Sequence, residues 1–198
     1  MKWNPARFAE ALLPLISDGA EKAVQAAKES LAHFDQRYEH AYLGGLRRKL
    51  GLRQEIEGDL ELGTDLLARM AENQTDFTLM FRRLSESAAD IKRDADTRTL
   101  FANPTAFDDW DDRWRARLSF ETESEEDRAA AMRSVNPRLI PRNHRIEAAI
   151  AEAETGRFQK FHELVDVLSR PFDDQPQFSD YANGPSPNEV VQQTFCGT

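Results

Sequence analysis

The residues best equipped for chemistry gather between positions 134 and 149. The stretch reads Ser134-Val135-Asn136-Pro137-Arg138-Leu139-Ile140-Pro141-Arg142-Asn143-His144-Arg145, followed by Ile146-Glu147-Ala148-Ala149. Three arginines, one histidine and two asparagines surround two prolines. Pro141 opens a helix, and the first N–H groups of a helix have no partner within it. Arg138, Arg142, Asn143 and His144 are therefore a candidate anion-binding corner. The competing reading is architectural, because a sharp corner also needs donors for its own backbone and pairs readily with an acidic surface. On residue types the architectural reading is the stronger.

Cys196 is the second candidate. It stands third from the end, in Thr194-Phe195-Cys196-Gly197-Thr198. A lone thiol on a tail is either a redox group or an incidental surface residue, and chemistry alone leaves both open. His33 and His40 are seven residues apart and share a helix face with Glu29 and Gln36. The Glu-x-x-His spacing of di-metal bundles is absent, so packing or surface placement is expected and no metal site is assigned. Phe107, Trp110 and Trp114 could stack a base or another ligand. Their three- and four-residue spacing is that of a core stripe, and no basic patch lies beside them. The acidic run Glu121–Asp127 reads as a solvated helix start. A catalytic carboxylate pair needs burial to separate its two pKa values, and nothing in the sequence suggests burial here. No G-x-G-x-x-G, phosphate loop or H-E-x-x-H is present, so no catalytic residue is assigned.

The elements that position these residues read as helices throughout. Asn4-Pro5 opens the first, which carries Phe8, Leu12 and Leu15 and should kink or end at Pro14. Ala20 to Leu50 carries the longest periodic pattern and reads as one helix, with Arg47-Arg48-Lys49 in its last turn and Gly51 as its stop. Apolar positions from Leu60 to Met70 mark the next helix, and Gln74–Ser87 another. Residues 85–99 read as a loop or weak helix. Asn103-Pro104 opens the helix of the aromatic stripe, and Ser124 caps a short one through Met132. Pro141 starts a helix that Gly156 ends. Phe158 to Leu168 forms the last, stopped by Arg170-Pro171. With no strand pattern, the expected fold is all-α: an irregular antiparallel helical bundle over residues 1–171, then an extended proline-containing tail over 172–198.

The 198 residues carry 40% hydrophobic and 31% charged side chains and a formal net charge of −9. Such an acidic chain is a poor partner for nucleic acid or anionic membranes, and neither is expected as a partner. No membrane-spanning run or signal-peptide pattern is found, which together with a single cysteine predicts a cytoplasmic protein.

Several segments carry a resemblance. Trp3-Asn4 with Arg7-Phe8-Ala9-Glu10-Ala11-Leu12, then Ala106-Phe107-Asp108-Asp109-Trp110, Val135-Asn136-Pro137, Pro141–Arg145 and the tail Gln193–Thr198 resemble, in the same order, bacterial members of the selenoprotein O family. The resemblance spans the whole chain. It implies the helical C-terminal region of a kinase-like, pseudokinase-type enzyme that transfers AMP from ATP onto protein hydroxyls with a divalent metal, magnesium or manganese. Cys196 matches the position where some relatives carry selenocysteine, which implies a redox role. Family proteins are much longer, and their ATP- and metal-binding motifs lie before the region that resembles this chain. The implied partners are therefore a missing N-terminal kinase-like half and the enzyme's protein substrates. No cofactor is expected to bind this chain alone. The alternative is a free-standing helical interaction module.

Overall fold

The computed structural model describes residues 3–193. Among them are ten α-helices and no strand, so the fold is all-α as expected. The chain divides into two compact units between Leu46 and Arg47.

In the first unit, α1 (Trp3–Ile16) and α2 (Ala20–Ala32) pack as a hairpin joined by three residues. Asn4 lies inside the first turn of α1 as its second residue, not at the cap. Pro14 falls in the last turn of α1, where its missing N–H shortens the ladder little. The pairing runs through Ala23 and Ala27, whose small side chains let the helices approach closely. The larger apolar residues are not covered. α1 buries none of its residues, with Phe8 67% and Leu15 82% exposed.

The long helix expected from Ala20 to Leu50 is two. A one-residue turn at His33 separates α2 from α3 (Phe34–Leu50). The break leaves a near-continuous path, since the Arg37 N–H still reaches the His33 carbonyl at 3.2 Å. Gly44 and Gly45 stay helical, with open space where side chains would stand. Gly51, by contrast, is obligatory. Its φ is +72°, and a Cβ there would come within 2.7 Å of Met132 Sδ and 2.9 Å of Arg128 Cγ.

The second unit is built on α4 (Asp59–Glu72), α5 (Phe77–Ser87), a short α6 (Asp94–Arg98), α7 (Thr105–Leu118), α8 (Glu125–Val135), α9 (Asn143–Ala153) and α10 (Gln159–Leu168). α7 packs on α4, α5 on α8, and α9 on α10. Phe107, Trp110, Trp114 and Leu118 form the centre of the core, and both tryptophan rings are fully buried. Each buried indole needs an acceptor. Trp110 Nε1 donates to the Leu62 carbonyl and Trp114 Nε1 to the Leu50 carbonyl, both at 2.9 Å, which fixes α7 to α4 and to the end of α3. The aromatic stripe is thus core. Ser124 caps α8 as expected, accepting from the Asp127 N–H at 3.1 Å.

Two expectations need correction. The tail is not simply extended: residues Pro176–Ala182 form a 3-10 turn. Ala182 is drawn into a small core with Leu139 and Val167, and Phe178 and Tyr181 pack against it. The acidic run is not wholly solvated either. The Glu121 side chain is 2% exposed and paired with Arg117, and that of Glu123 is 10% exposed and paired with Arg53. Both carboxylates lie just beyond the C-terminal turn of α7, drawn in by Arg117 of that helix and by Arg53 of the segment between α3 and α4.

One buried acid has a measurable signature. Asp111 on α7 is nearly buried, with Oδ1 lacking any hydrogen bond. Burial pushes its pKa up to about 6, against the opposing pull of Arg115, and Asp94 and Asp112 add to the rise. The folded chain therefore holds a proton between about pH 4 and pH 6 that the unfolded chain has released. Stability should fall by on the order of 1 kcal/mol as pH rises through that window, then level off. Asp111→Asn should flatten this slope in urea titrations at pH 4.5 and 7. A slope left unchanged by Asp111→Asn would refute the assignment.

Candidate functional site

The corner sits where α8 ends and α9 begins, and its prolines set its shape. Asn136 precedes Pro137 and is extended, at φ −112° and ψ 96°, as a residue before proline must be. Its side chain is fully buried. Asn136 Nδ2 donates to the Lys49 carbonyl at 3.0 Å and to Ser85 Oγ at 3.2 Å, while Oδ1 accepts from Lys49 Nζ at 3.1 Å. One amide thereby ties the end of α3, the last turn of α5 and the corner together. Lys49 also lies over the Phe77 and Phe81 rings, and burial holds its pKa below the usual lysine range.

The four corner residues are only partly brought together. Arg142, Asn143 and His144 line one open cleft of about 290 Å³ with tail residues Pro185, Glu189 and Val190. Arg138 is not in that lining. It faces Asp174 at 3.5 Å, while its backbone N–H bonds the Pro171 carbonyl at 2.9 Å.

The Arg142 guanidinium is already committed. Nη1 pairs with Asp76 at 2.7 Å and Nη2 donates to the Ala182 carbonyl at 2.7 Å. Asp76 is also the cap of α5, accepting from the Leu79 N–H at 2.8 Å. Burial pushes the Asp76 carboxyl up, but the Arg142 bond and the Leu79 N–H outweigh it and hold the pKa below its usual value. Arg145 Nη2 donates to the Asp180 carbonyl at 2.8 Å and its guanidinium lies over the Tyr181 ring.

His144 is buried, and its Nε2 has no hydrogen-bond partner. Burial lowers its pKa, Arg145 and Arg142 add to the fall, and Glu189 opposes it. The imidazole is therefore neutral at neutral pH and brings no charge to an anion. Asn143 is exposed and begins α9. The arrangement clamps the tail: Arg142 and Arg145 hold the turn at Pro176–Ala182 against the corner.

Cys196 lies outside the described residues. His33 and His40 are both exposed on the surface, and no cluster able to hold a metal ion occurs among the described residues. No helix there is long and apolar enough to cross a membrane.

Sequence reasoning missed the second anchor of the corner, Arg82, which is 3% exposed. It reaches the Phe172 carbonyl at 3.0 Å and Asp174 at 2.8 Å, fastening the chain beyond α10 to α5. The available signal was its place beside Phe81 in a helix with a strong apolar face. An arginine there must either reach past the core or find buried acceptors.

Comparison with known proteins adds the lineage. The family model described as Protein adenylyltransferase SelO matches residues 1–169. A protein nucleotidyltransferase YdiU of Nitrobacter hamburgensis is 63% identical over 198 residues, covering all of this chain and 39% of that relative. Its counterpart in Nitrobacter winogradskyi is 64% identical over 196 residues, with 39% of the relative covered. One from Bradyrhizobium diazoefficiens is 50% identical over 197 residues, with 40% covered. The chain thus spans about two-fifths of the length of these relatives. Matching order, matching segments and identity over essentially its whole length agree, and the chain belongs to the SelO protein adenylyltransferase family.

Proposed function

We propose that this chain is the helical C-terminal region of a kinase-like, cytosolic protein adenylyltransferase, which moves AMP from ATP to hydroxyl groups of protein substrates. ATP and magnesium or manganese are held by the remainder of the enzyme, and this region buttresses that remainder.

The carrying observation is the uncovered apolar face of the first unit. Phe8, Leu12, Ile16, Leu31, Phe34 and Tyr38 line a groove of about 480 Å³, and a second groove of about 310 Å³ opens beside Leu13 and Val24. Phe34, Tyr38 and Tyr42 stack along α3 with centroids 6.1 and 6.0 Å apart. Exposed apolar surface on this scale marks a surface that another protein covers. In the proposal that cover is the rest of the enzyme.

The test is to mix the chain with the part of the Nitrobacter hamburgensis relative that it does not match. A stable complex is expected in sizing, weakened at least about tenfold by Phe8→Glu with Leu12→Glu. No complex, or one indifferent to the double substitution, would reject the buttress and favour a free-standing interaction module.

Cys196 belongs to the same proposal as a redox-responsive thiol. Its thiol should be lost to peroxide faster than that of free cysteine, and a rate no greater would return it to an incidental residue.

A further inference from the structure

The buried arginines of the second unit obey one rule with one exception. Arg82, Arg117 and Arg142 each hold a carboxylate: Asp174 at 2.8 Å, Asp59 at 2.7 Å and Asp76 at 2.7 Å. Arg128 is as buried, at 7% exposure, and its one hydrogen bond runs from Nη2 to the Glu123 carbonyl at 3.3 Å. Its Nε makes no hydrogen bond, as is also true of Arg82 and Arg142, so what sets Arg128 apart is the absence of a carboxylate. Among the described residues, no carboxylate lies within ion-pairing distance of it.

The placement makes the missing counter-ion more telling. Arg128 is the fourth residue of α8, near the end where the helix dipole is positive and a cation is disfavoured. Its stem lies over Gly51, which has no side chain to push it away. A buried cation without a counter-ion is destabilising unless something supplies the charge.

Arg128 also lines an open cleft of about 460 Å³ with Leu118, Ser119, Ser124 and three acids. The acids fix the class of ligand. Glu121 is engaged by Arg117 at 2.9 Å; Glu123 lies 2.6 Å from Arg53 with both its carboxylate oxygens buried and making no hydrogen bond, and Glu125 is exposed. Arg115, the other cation of the lining, is held by Asp94 at 2.6 Å and Asp111 at 2.8 Å. The Ser119 and Ser124 hydroxyls already donate to the Ala116 carbonyl and to Asp127. One cation is free, and several negative charges stand around it. A dianion such as phosphate meets repulsion there, whereas a group with one negative charge and a flat pair of oxygens matches a guanidinium.

We propose that this cleft binds a carboxylate, received by Arg128 and by the Glu125 and Glu126 N–H groups of α8, the Asp127 N–H being capped by Ser124. The site is independent of the adenylyltransferase reading and would exist in a free-standing module as well.

Two measurements on the full 198-residue chain test it. Arg128→Met keeps the stem volume and removes the unpaired charge, so it should raise the melting temperature by about 3 °C or more in the absence of ligand. A fall would make Arg128 a structural cation and overturn the proposal. Acetate, at an ionic strength held constant with sodium chloride, should shift the Arg128 Nε–Hε resonance saturably. Phosphate should shift it less, and the acetate-dependent rise in melting temperature should vanish in Arg128→Met. An absent or non-saturating acetate shift, or a phosphate shift as large, would also overturn it. N-acetyl-glutamate methylamide separates the two sources of a carboxylate. Binding about tenfold tighter than acetate assigns the site to an acidic side chain of a protein, and equal binding assigns it to small carboxylates.

Discussion

Asp59→Ala is expected to lower the unfolding free energy by about 3–5 kcal/mol, read as a large drop in the urea midpoint with an unchanged slope. The reason lies in what Asp59 holds. Its carboxylate is buried at the start of α4 and accepts from Arg47 Nε and Arg117 Nε, both at 2.7 Å, and from the Ile56 N–H at 3.1 Å. Burial alone would push its pKa up, but the bonds from Arg117, Arg47 and Ile56 prevail and the pKa lies below the usual aspartate value. Its contribution is therefore present above about pH 4 and lost as pH falls through the lowered folded value.

Removing the carboxylate leaves two guanidiniums facing each other. Arg47 keeps only the exposed Glu55 at 3.2 Å. Arg117 keeps Glu121 and the Gln54 carbonyl. Domains of this size are stabilised by about 5–15 kcal/mol in total, so the loss should unfold a visible fraction at 37 °C. Adding Arg47→Met to Asp59→Ala should recover part of it, because the second substitution removes the charge left with only an exposed partner. A loss below about 1 kcal/mol for the single variant would mean that water reaches the pair and that it is not a core element.

The same residues show what the sequence could tell and what it could not. Period and punctuation placed the core helices well, because Phe107, Trp110, Trp114 and Leu118 have the spacing of one buried face and the structure buries all four. They misjudged α2 and α3, whose pattern runs unbroken through His33. A one-residue turn leaves the period on either side almost in phase, so periodicity cannot see it. The tail was read from its prolines, and Pro176 instead starts a 3-10 turn, a use of proline that composition cannot tell from extended chain.

Polar burial was the hardest to see. Arg82, Asp59 and Arg117 look like surface residues one at a time, and only the pairing across elements far apart in sequence takes them inside. The corner was legible as a corner. Its partners, Lys49 at one end and the chain from Phe172 to Ala182 at the other, were not.

The second large effect is catalytic. This chain matches 39% of the Nitrobacter hamburgensis relative, and in the proposed division of labour helical support lies here and nucleotide chemistry in the remainder. Adenylyl transfer would then require both parts. Cutting support from a kinase-like lobe should disorder the groups that align ATP, metal and hydroxyl, and misplacement by about 1 Å costs roughly a hundredfold in rate.

The most direct measurement is AMP transfer from labelled ATP, with magnesium or manganese, onto protein. It compares this chain alone, the unmatched part of the relative alone, and the two mixed. The proposed division predicts background labelling from this chain and at least about a hundredfold more from the mixture than from either part. Metal-dependent ATP binding or transfer by this chain alone would contradict it, as would full activity of the unmatched part without it.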